Sequence, residues 1–200
     1  MNVVMKQLIL ASQSPRRFQL LTDAGFKFLV HPVKVSEIIK ENLNSSEVVL
    51  DLATTKAKAL LEEQPSYQNE SVLILSADTL VVKDEQILGK PQNETEAKNF
   101  LQLLSGSLHE VKTGVCFYSL PEGKIISKLD ITKVQFKALT EEQIQDYIKT
   151  GEPMDKAGAY GIQGLGGKFV ESTSGSWSNV VGLPMELVQK TFEEQGWTFK

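Results

Sequence analysis

Leu8-Ile-Leu-Ala-Ser-Gln-Ser-Pro-Arg-Arg17 decides the fold, because it passes from a short apolar run to helix-start chemistry with no linker between them. The apolar part, Leu8 to Ala11, has strand length and predicts the first strand. Ser14 then offers a side-chain oxygen to the free N–H groups of a first helical turn. Pro15 suits the first helical position, where its missing N–H costs nothing. Leu20, Leu21 and Ala24 give that helix a core face, and Gly25 ends it. A strand that feeds straight into a helix is the opening of an α/β chain.

The same patterns continue downstream. A helix is predicted from about Ser46 to Glu63, with Val49, Leu52, Ala53, Leu60 and Leu61 on a 3.6-residue stripe. Val72-Leu-Ile-Leu75 is an unbroken apolar run suited to a strand covered on both faces. Asn93-x-x-Glu96 opens a helix with Ala97, Phe100, Leu101 and Leu104 inward, closing near Gly106. Thr140-x-x-Gln143 has capping-box form and opens another, with Ile144, Tyr147 and Ile148 inward and Gly151 at its end. Pro184 begins the last helix, with Leu187, Val188 and Phe192 inward before Gly196. Val111 to Leu120 and Ile125 to Leu139 read as strands, the second alternating at Val134, Phe136 and Ala138, joined by Pro121-Glu-Gly-Lys124 as a hairpin turn. Strands and helices alternate early while the middle is antiparallel, so a mixed sheet is expected.

Two hundred residues with 41% hydrophobic content suffice for one sizeable core. With no linker, repeat or charge block to divide it, the chain reads as a single two-lobed domain over residues 1–200. A formal charge of −4 argues against broad attraction to nucleic acid, though small anions can bind locally. Cys116 stands alone in the apolar run Val115 to Tyr118, which excludes an internal disulfide and predicts a buried, inert thiol compatible with a reducing compartment. Lys6 followed by Leu8 to Ala11 resembles the start of a secretory signal, but such a signal needs about 7–15 apolar residues and a membrane span about 20. A soluble, cytoplasmic protein without membrane association is expected.

The stretch from Gly151 to Lys168 holds six glycines beside Asp155, Lys156 and Gln163. Glycine at that density fits a backbone that turns with positive φ or approaches something closely. A long loop in a compact domain is usually functional. Tyr160, Ile162 and Leu165 are its expected apolar anchors, and a binding loop is the reading preferred over a mobile connector.

Ser12, Ser14, Arg16 and Arg17 sit where the first strand meets its helix, a place that favours an anion. Arginine forks suit phosphate oxygens, but a solvated first turn with snorkelling arginines fits the same residues. Lys56 occupies the apolar stripe where a hydrophobe is expected, so it either snorkels to solvent or turns inward to meet a phosphate. Asp78, in Ser76-Ala-Asp-Thr79, follows the strand at Leu75. It is expected at that strand's C-terminal end, where α/β sheets open ligand crevices; it either holds a divalent ion or activates water, or merely turns the chain. Lys90, in Gly89-Lys-Pro91, suits phosphate or ordinary surface. His31 and His109 are isolated and read as structural. No G-x-S-x-G elbow, P-loop or helix-opening dinucleotide fingerprint is present.

Ala11-Ser-Gln-Ser-Pro-Arg-Arg17, Leu52-Ala-x-x-Lys56-Ala, Ala77-Asp-Thr79, Gly89-Lys-Pro91, Leu104-Ser-Gly-x-x-His109-x-Val-x-Thr-Gly114, Asp155-Lys-Ala-Gly-Ala-Tyr-Gly-Ile-Gln-Gly164 and Asn179-Val-Val-Gly-Leu-Pro184 occur in this order across most of the chain. Together they resemble the Maf family of house-cleaning nucleotide pyrophosphatases. The resemblance implies an α/β fold with an elongated, twisted mixed sheet flanked by helices and a cleft between two lobes, like that of the inosine triphosphate pyrophosphatases. It implies hydrolysis of a nucleoside triphosphate to monophosphate and pyrophosphate with a divalent cation, Mg²⁺ or Mn²⁺. By motif match Asp78 is the proton acceptor, and Ser12, Arg16, Arg17, Lys56, Lys90 and Lys156 line the phosphate region. Glu37 matches an acidic metal-binding position alongside Asp78, although Ser36 stands where many members carry another acid. The Ala-Tyr-Gly-Ile-Gln-Gly loop resembles the branch acting on dTTP and UTP, with Arg16, Thr79 and Gln163 at the specificity positions and Asp155 in the same motif. A Gln amide complements the N3–H and O4 of uracil and thymine, but flipped it complements cytosine too. The resemblance also implies a homodimer. An ITP/XTP-type purine pyrophosphatase and a non-catalytic nucleotide-binding regulator of septum formation are the rival readings.

Overall fold

The computed structural model describes residues 7–35, 40 and 42–199. Its strands are β1 (Gln7–Leu10), β2 (Leu29–Val30), β3 (Val72–Lys83), β4 (Gln86–Leu88), β5 (Leu108–Leu120), β6 (Lys124–Phe136) and β7 (Val170–Ser174). Its α-helices are α1 (Pro15–Asp23), α2 (Ser45–Glu63), α3 (Glu94–Leu104), α4 (Glu141–Lys149), α5 (Trp177–Val181) and α6 (Met185–Gln195). The strands form one sheet in the order β2-β1-β3-β5-β6-β7, with β4 on β3. β1 pairs in parallel with β2 and β3, whereas β3–β4 and β6–β7 are antiparallel. The sheet is mixed, as the sequence predicts.

The chain forms two compact units. The first comprises Met1–Asp78, Thr113–Asp130 and Gly182–Lys200, and the second Thr79–Lys112 and Ile131–Val181. In the first unit, side chains alternate between two cores, as the pleat requires. Leu8, Leu10, Leu73 and Leu75 join Leu21, Val188 and Phe192 in one core. Ile9, Ala11, Val72 and Ile74 join Ala53, Ala57 and Leu60 in the other. Val72 to Leu75 are therefore covered on both faces, which explains their unbroken apolar run. The second unit has its own core, in which Ala97, Leu101 and Leu104 of α3 meet Ile144, Tyr147 and Ile148 of α4 together with Val134 and Phe136.

Local capping sets the helix starts. Ser14 accepts from the Arg17 N–H at the head of α1, and Asn44 with Glu47 completes a capping box on α2. Asn93 caps α3, and Thr140 with Gln143 completes the box on α4. Gly25, Gly151 and Gly196 adopt positive φ just beyond their helices, the conformation glycine tolerates at a helix end.

Three strand boundaries differ from expectation by three residues or more, and one of them is the start of β5, at Leu108 rather than Val111. β3 does not stop at Leu75 but runs on through Asp78 to Lys83, since Thr79-Leu-Val-Val82 continues its β-favouring composition and Val81 to Lys83 pair with β4. Asp78 is thus within a strand rather than at its end. β6 stops at Phe136, and Ala138 is exposed. Beyond Phe136 the backbone bonds elsewhere: the Lys137 N–H donates to the Phe169 carbonyl at 2.8 Å, and the Leu139 N–H to Ser105 Oγ at 2.7 Å. β7 gave no periodic signal because nearly all of it is exposed.

Candidate active site

In the first unit, the β1/β3 ladder ends where Leu10 faces Leu75 and the Ala11 N–H donates to the Leu75 carbonyl at 2.8 Å. Ser12 and the Ser76–Asp78 segment therefore leave the same end of one parallel pair, where α/β sheets bind ligands. Although β3 is longer, its parallel pairing with β1 stops at Leu75, so Asp78 still lies just beyond the end of a parallel pair. Ser12 is buried, and its Oγ accepts from the Ser14 N–H at 3.2 Å and from Arg17 Nη1 at 3.3 Å. Arg17 Nε donates to the Gly182 carbonyl at 2.7 Å. The guanidinium at the positive end of α1 is thus steadied by two oxygen acceptors rather than snorkelling into solvent. Arg16 is half-buried in the same turn.

Lys56 turns inward. Its ammonium forms an ion pair and hydrogen bond with Asp78, and the two side chains keep only 13% and 9% of their exposure. Two contacts set the reach of α2. Ser76 Oγ donates to the Ala53 carbonyl at 2.6 Å, tying β3 to the helix just before Lys56. Gly114 of β5 lies against the helix backbone, where an added Cβ would stand 2.5 Å from the Val49 carbonyl oxygen. A carboxylate and an ammonium held so far from water make a pre-organised charge pair, strongly sensitive to any added anion or cation.

The second unit carries Thr79, Lys90, Asp155, Lys156 and Gln163. Thr79 is half-buried and Lys90 exposed. The Gly158 N–H donates to the Gly89 carbonyl at 3.0 Å, so the Lys90 loop and the Asp155–Lys156 turn are joined through backbone. Lys156 Nζ donates to the Glu152 carbonyl at 2.8 Å and to Asp155 Oδ1 at 2.6 Å. Gln163 is exposed. The glycine-rich stretch is made of short 3-10 turns, Glu152–Asp155, Ala157–Ala159 and Leu165–Phe169.

Of the expected apolar anchors, Tyr160 is buried, Ile162 is intermediate and Leu165 is 46% exposed. Leu165 instead contributes its backbone. Glu152, which the sequence did not single out, accepts from the Leu165 N–H at 3.0 Å, the Gly166 N–H at 3.2 Å and the Tyr147 hydroxyl at 2.9 Å. Burial works to raise the Glu152 carboxyl, but these bonds and nearby Lys156 overcome it and hold it below the usual range. An acid directly after a helix's terminal glycine was the only available signal, and its partners lie too far along the chain for a local pattern to reveal.

His109 is structural, as expected. It is buried against Phe136 and Tyr160, with Nε2 2.8 Å from the Tyr160 hydroxyl. Burial, with Lys83 nearby, pushes its pKa down to about 4. Cys116 is buried, and burial raises its thiol pKa.

The sequence profile of the Maf-like protein family matches residues 7–195. The chain belongs to the Maf family. Among Maf relatives, the dTTP/UTP pyrophosphatase of Bdellovibrio bacteriovorus is 53% identical over 182 residues, covering 91% of this chain and 95% of that protein. The dTTP/UTP pyrophosphatase of a Geobacillus species is 48% identical over 194 residues, covering 96% and 100%. That of Desulfitobacterium hafniense is 46% identical over 192 residues, covering 96% and 86%.

The cation implied by Maf resemblance was assigned to Asp78 and Glu37, and Glu37 lies outside the described residues. Among the described residues no three His, Cys, Asp or Glu side chains gather as a metal-binding group. The donor chemistry still fits Mg²⁺ or Mn²⁺, because such ions are commonly held by one or two carboxylates with substrate phosphates and water as the other ligands. Asp78 supplies a carboxylate of that kind. Among the described residues no helix is long and apolar enough to cross a membrane.

Proposed function

We propose that this Maf protein hydrolyses dTTP and UTP to the nucleoside monophosphate and pyrophosphate, thereby clearing nucleotide pools in the cytoplasm. The observation that carries the proposal is the secluded Lys56–Asp78 pair, whose Asp78 lies on the chain just beyond the end of the β1/β3 ladder from which Ser12 and Arg17 also emerge. An Asp in that setting suits a general base, and a Lys with Arg suits phosphate charge. The dTTP/UTP pyrophosphatases to which the chain is 46–53% identical support the substrate class.

Asp78 takes a proton from water as the water oxygen bonds to the α-phosphorus. The bond from that phosphorus to the bridging oxygen breaks, and pyrophosphate leaves with the bonding electrons. Lys56, Arg16 and Arg17, with Ser12, bind the triphosphate and stabilise the charge gathering on the leaving group; Lys90 and Lys156 are assigned the same work. A divalent cation, when bound through Asp78 and Glu37, supplies neutralisation of phosphate charge. Thr79, Asp155 and Gln163 are assigned to substrate recognition, with the Gln163 amide complementing N3–H and O4 of the pyrimidine. A homodimer is the proposed assembly, and residues 1–200 act as one functional domain.

The test is a panel of dTTP, UTP, CTP, GTP, ITP and 7-methyl-GTP with Mg²⁺ or Mn²⁺, measuring monophosphate and pyrophosphate separately from inorganic phosphate. Pyrophosphate chiefly from dTTP and UTP is expected. Preference for ITP would overturn the pyrimidine assignment, and binding without hydrolysis would favour a regulator.

A further inference from the structure

We infer that Glu152 is the positioning residue for base recognition, holding the Gly161–Gly167 turn so that the Gln163 side chain is presented from a fixed backbone. The inference rests on the proposed role of Gln163. Gln163 is exposed at the middle of this turn, and a turn free to move would leave its side chain without a fixed reach to the base.

The turn is gripped on both sides of Gln163. On one side, the Gly161 N–H donates to the Tyr147 hydroxyl at 3.4 Å. On the other, the Leu165 and Gly166 N–H groups donate to the two Glu152 carboxylate oxygens. The Tyr147 hydroxyl itself donates to Glu152 Oε1 at 2.9 Å, so both grips end on one carboxylate. Tyr147 is buried in the core of its unit and is fixed on α4. The turn is thereby fastened to a rigid element.

This arrangement also accounts for the glycines. A Cβ at Gly164 would collide with the Glu152 carboxylate, one at Gly166 would stand 2.6 Å from the Tyr147 hydroxyl, and one at Gly161 would stand 2.7 Å from Lys156 Cε. The missing side chains at Gly164 and Gly166 make room for the two groups that hold the turn, and the one at Gly161 makes room for Lys156. Charge-assisted acceptance from three donors is stronger than neutral bonding, and Glu152 remains ionised in place.

The experiment compares the wild-type enzyme with Glu152→Gln and Tyr147→Phe, each alone and combined with Gln163→Ala. It reads kcat and KM on dTTP and GTP with amide exchange at Leu165 and Gly166. In Glu152→Gln, the dTTP-over-GTP ratio of kcat/KM should fall about tenfold, mainly through a higher KM for dTTP. The two amides should exchange faster while amides of the α4 core do not. Tyr147→Phe should move the ratio in the same direction, and in the Gln163→Ala background either change should alter it less than about twofold, since coupled residues do not add. An unchanged ratio in both variants, or the same fall with and without Gln163, would overturn the inference while leaving the proposed activity standing. A wild-type enzyme that hydrolyses no nucleotide would overturn the functional reading, and this role for Glu152 with it.

Discussion

Asp78 and Lys56 form the charge pair on which the proposed chemistry depends. Asp78→Asn keeps the shape and a hydrogen-bond acceptor but cannot take a proton, so turnover should fall about a thousandfold while the circular dichroism spectrum stays native. Near-normal turnover in the folded variant would remove Asp78 as the base. Asp78→Ala should in addition lower unfolding free energy by roughly 2–3 kcal/mol in urea titration, because it removes a charged partner from a largely secluded ammonium. A second residue-scale prediction concerns His109, whose folded pKa of about 4 lies below its ordinary 6.5. Between these values the unfolded chain binds the extra proton, so stability present above pH 6.5 is lost as pH falls towards 4, by about 3 kcal/mol in all. His109→Gln should flatten that slope in stability measured across this range; an equal slope would show that other groups cause it. Lys56 was legible in the sequence as a misfit, a cation on an apolar stripe, and Asp78 as an acid just beyond an apolar run. Their pairing was not legible, because it depends on how closely a helix lies on a strand. Glu152 carried no such misfit, and only the folded turn reveals it.

At the scale of elements, capping chemistry and periodicity gave most helix boundaries, since a cap acts within a few residues of itself. Strand ends were harder. β3 outran its apolar core run because a strand ends where its partners end, and β6 stopped early because the Phe169 segment took over its hydrogen bonding. The contact of β5 with α2 is a packing feature with a functional consequence. Gly114→Ala would push a methyl group into the Val49–Leu50 backbone and so shift the helix that carries Lys56. A loss of about 1–3 kcal/mol is expected, with reduced turnover on every nucleotide alike. A stable, fully active variant would mean that the position of α2 tolerates movement. Asn44→Ala should cost about 1 kcal/mol through loss of the capping box at the start of the same helix, with turnover at saturating substrate retained.

At the scale of the whole molecule, the mixed sheet was legible because early strand–helix alternation and a later hairpin both leave local signatures. The order of the sheet, with β5 beside β3 and β7 beside β6, was not, because it rests on pairings between distant segments. The ordered motifs placed the chain in its family; of the assigned residues, Ser12, Arg16, Arg17, Lys56 and Asp78 belong to the first unit, and Thr79, Lys90, Asp155, Lys156 and Gln163 to the second. Hydrolysis of dTTP in ¹⁸O-labelled water, with mass analysis of both products, shows which phosphorus the water attacks. Attack at the α-phosphorus leaves one ¹⁸O atom in dTMP and unlabelled pyrophosphate, which is the expected result. Label in pyrophosphate, or in inorganic phosphate released from the chain end, would contradict it.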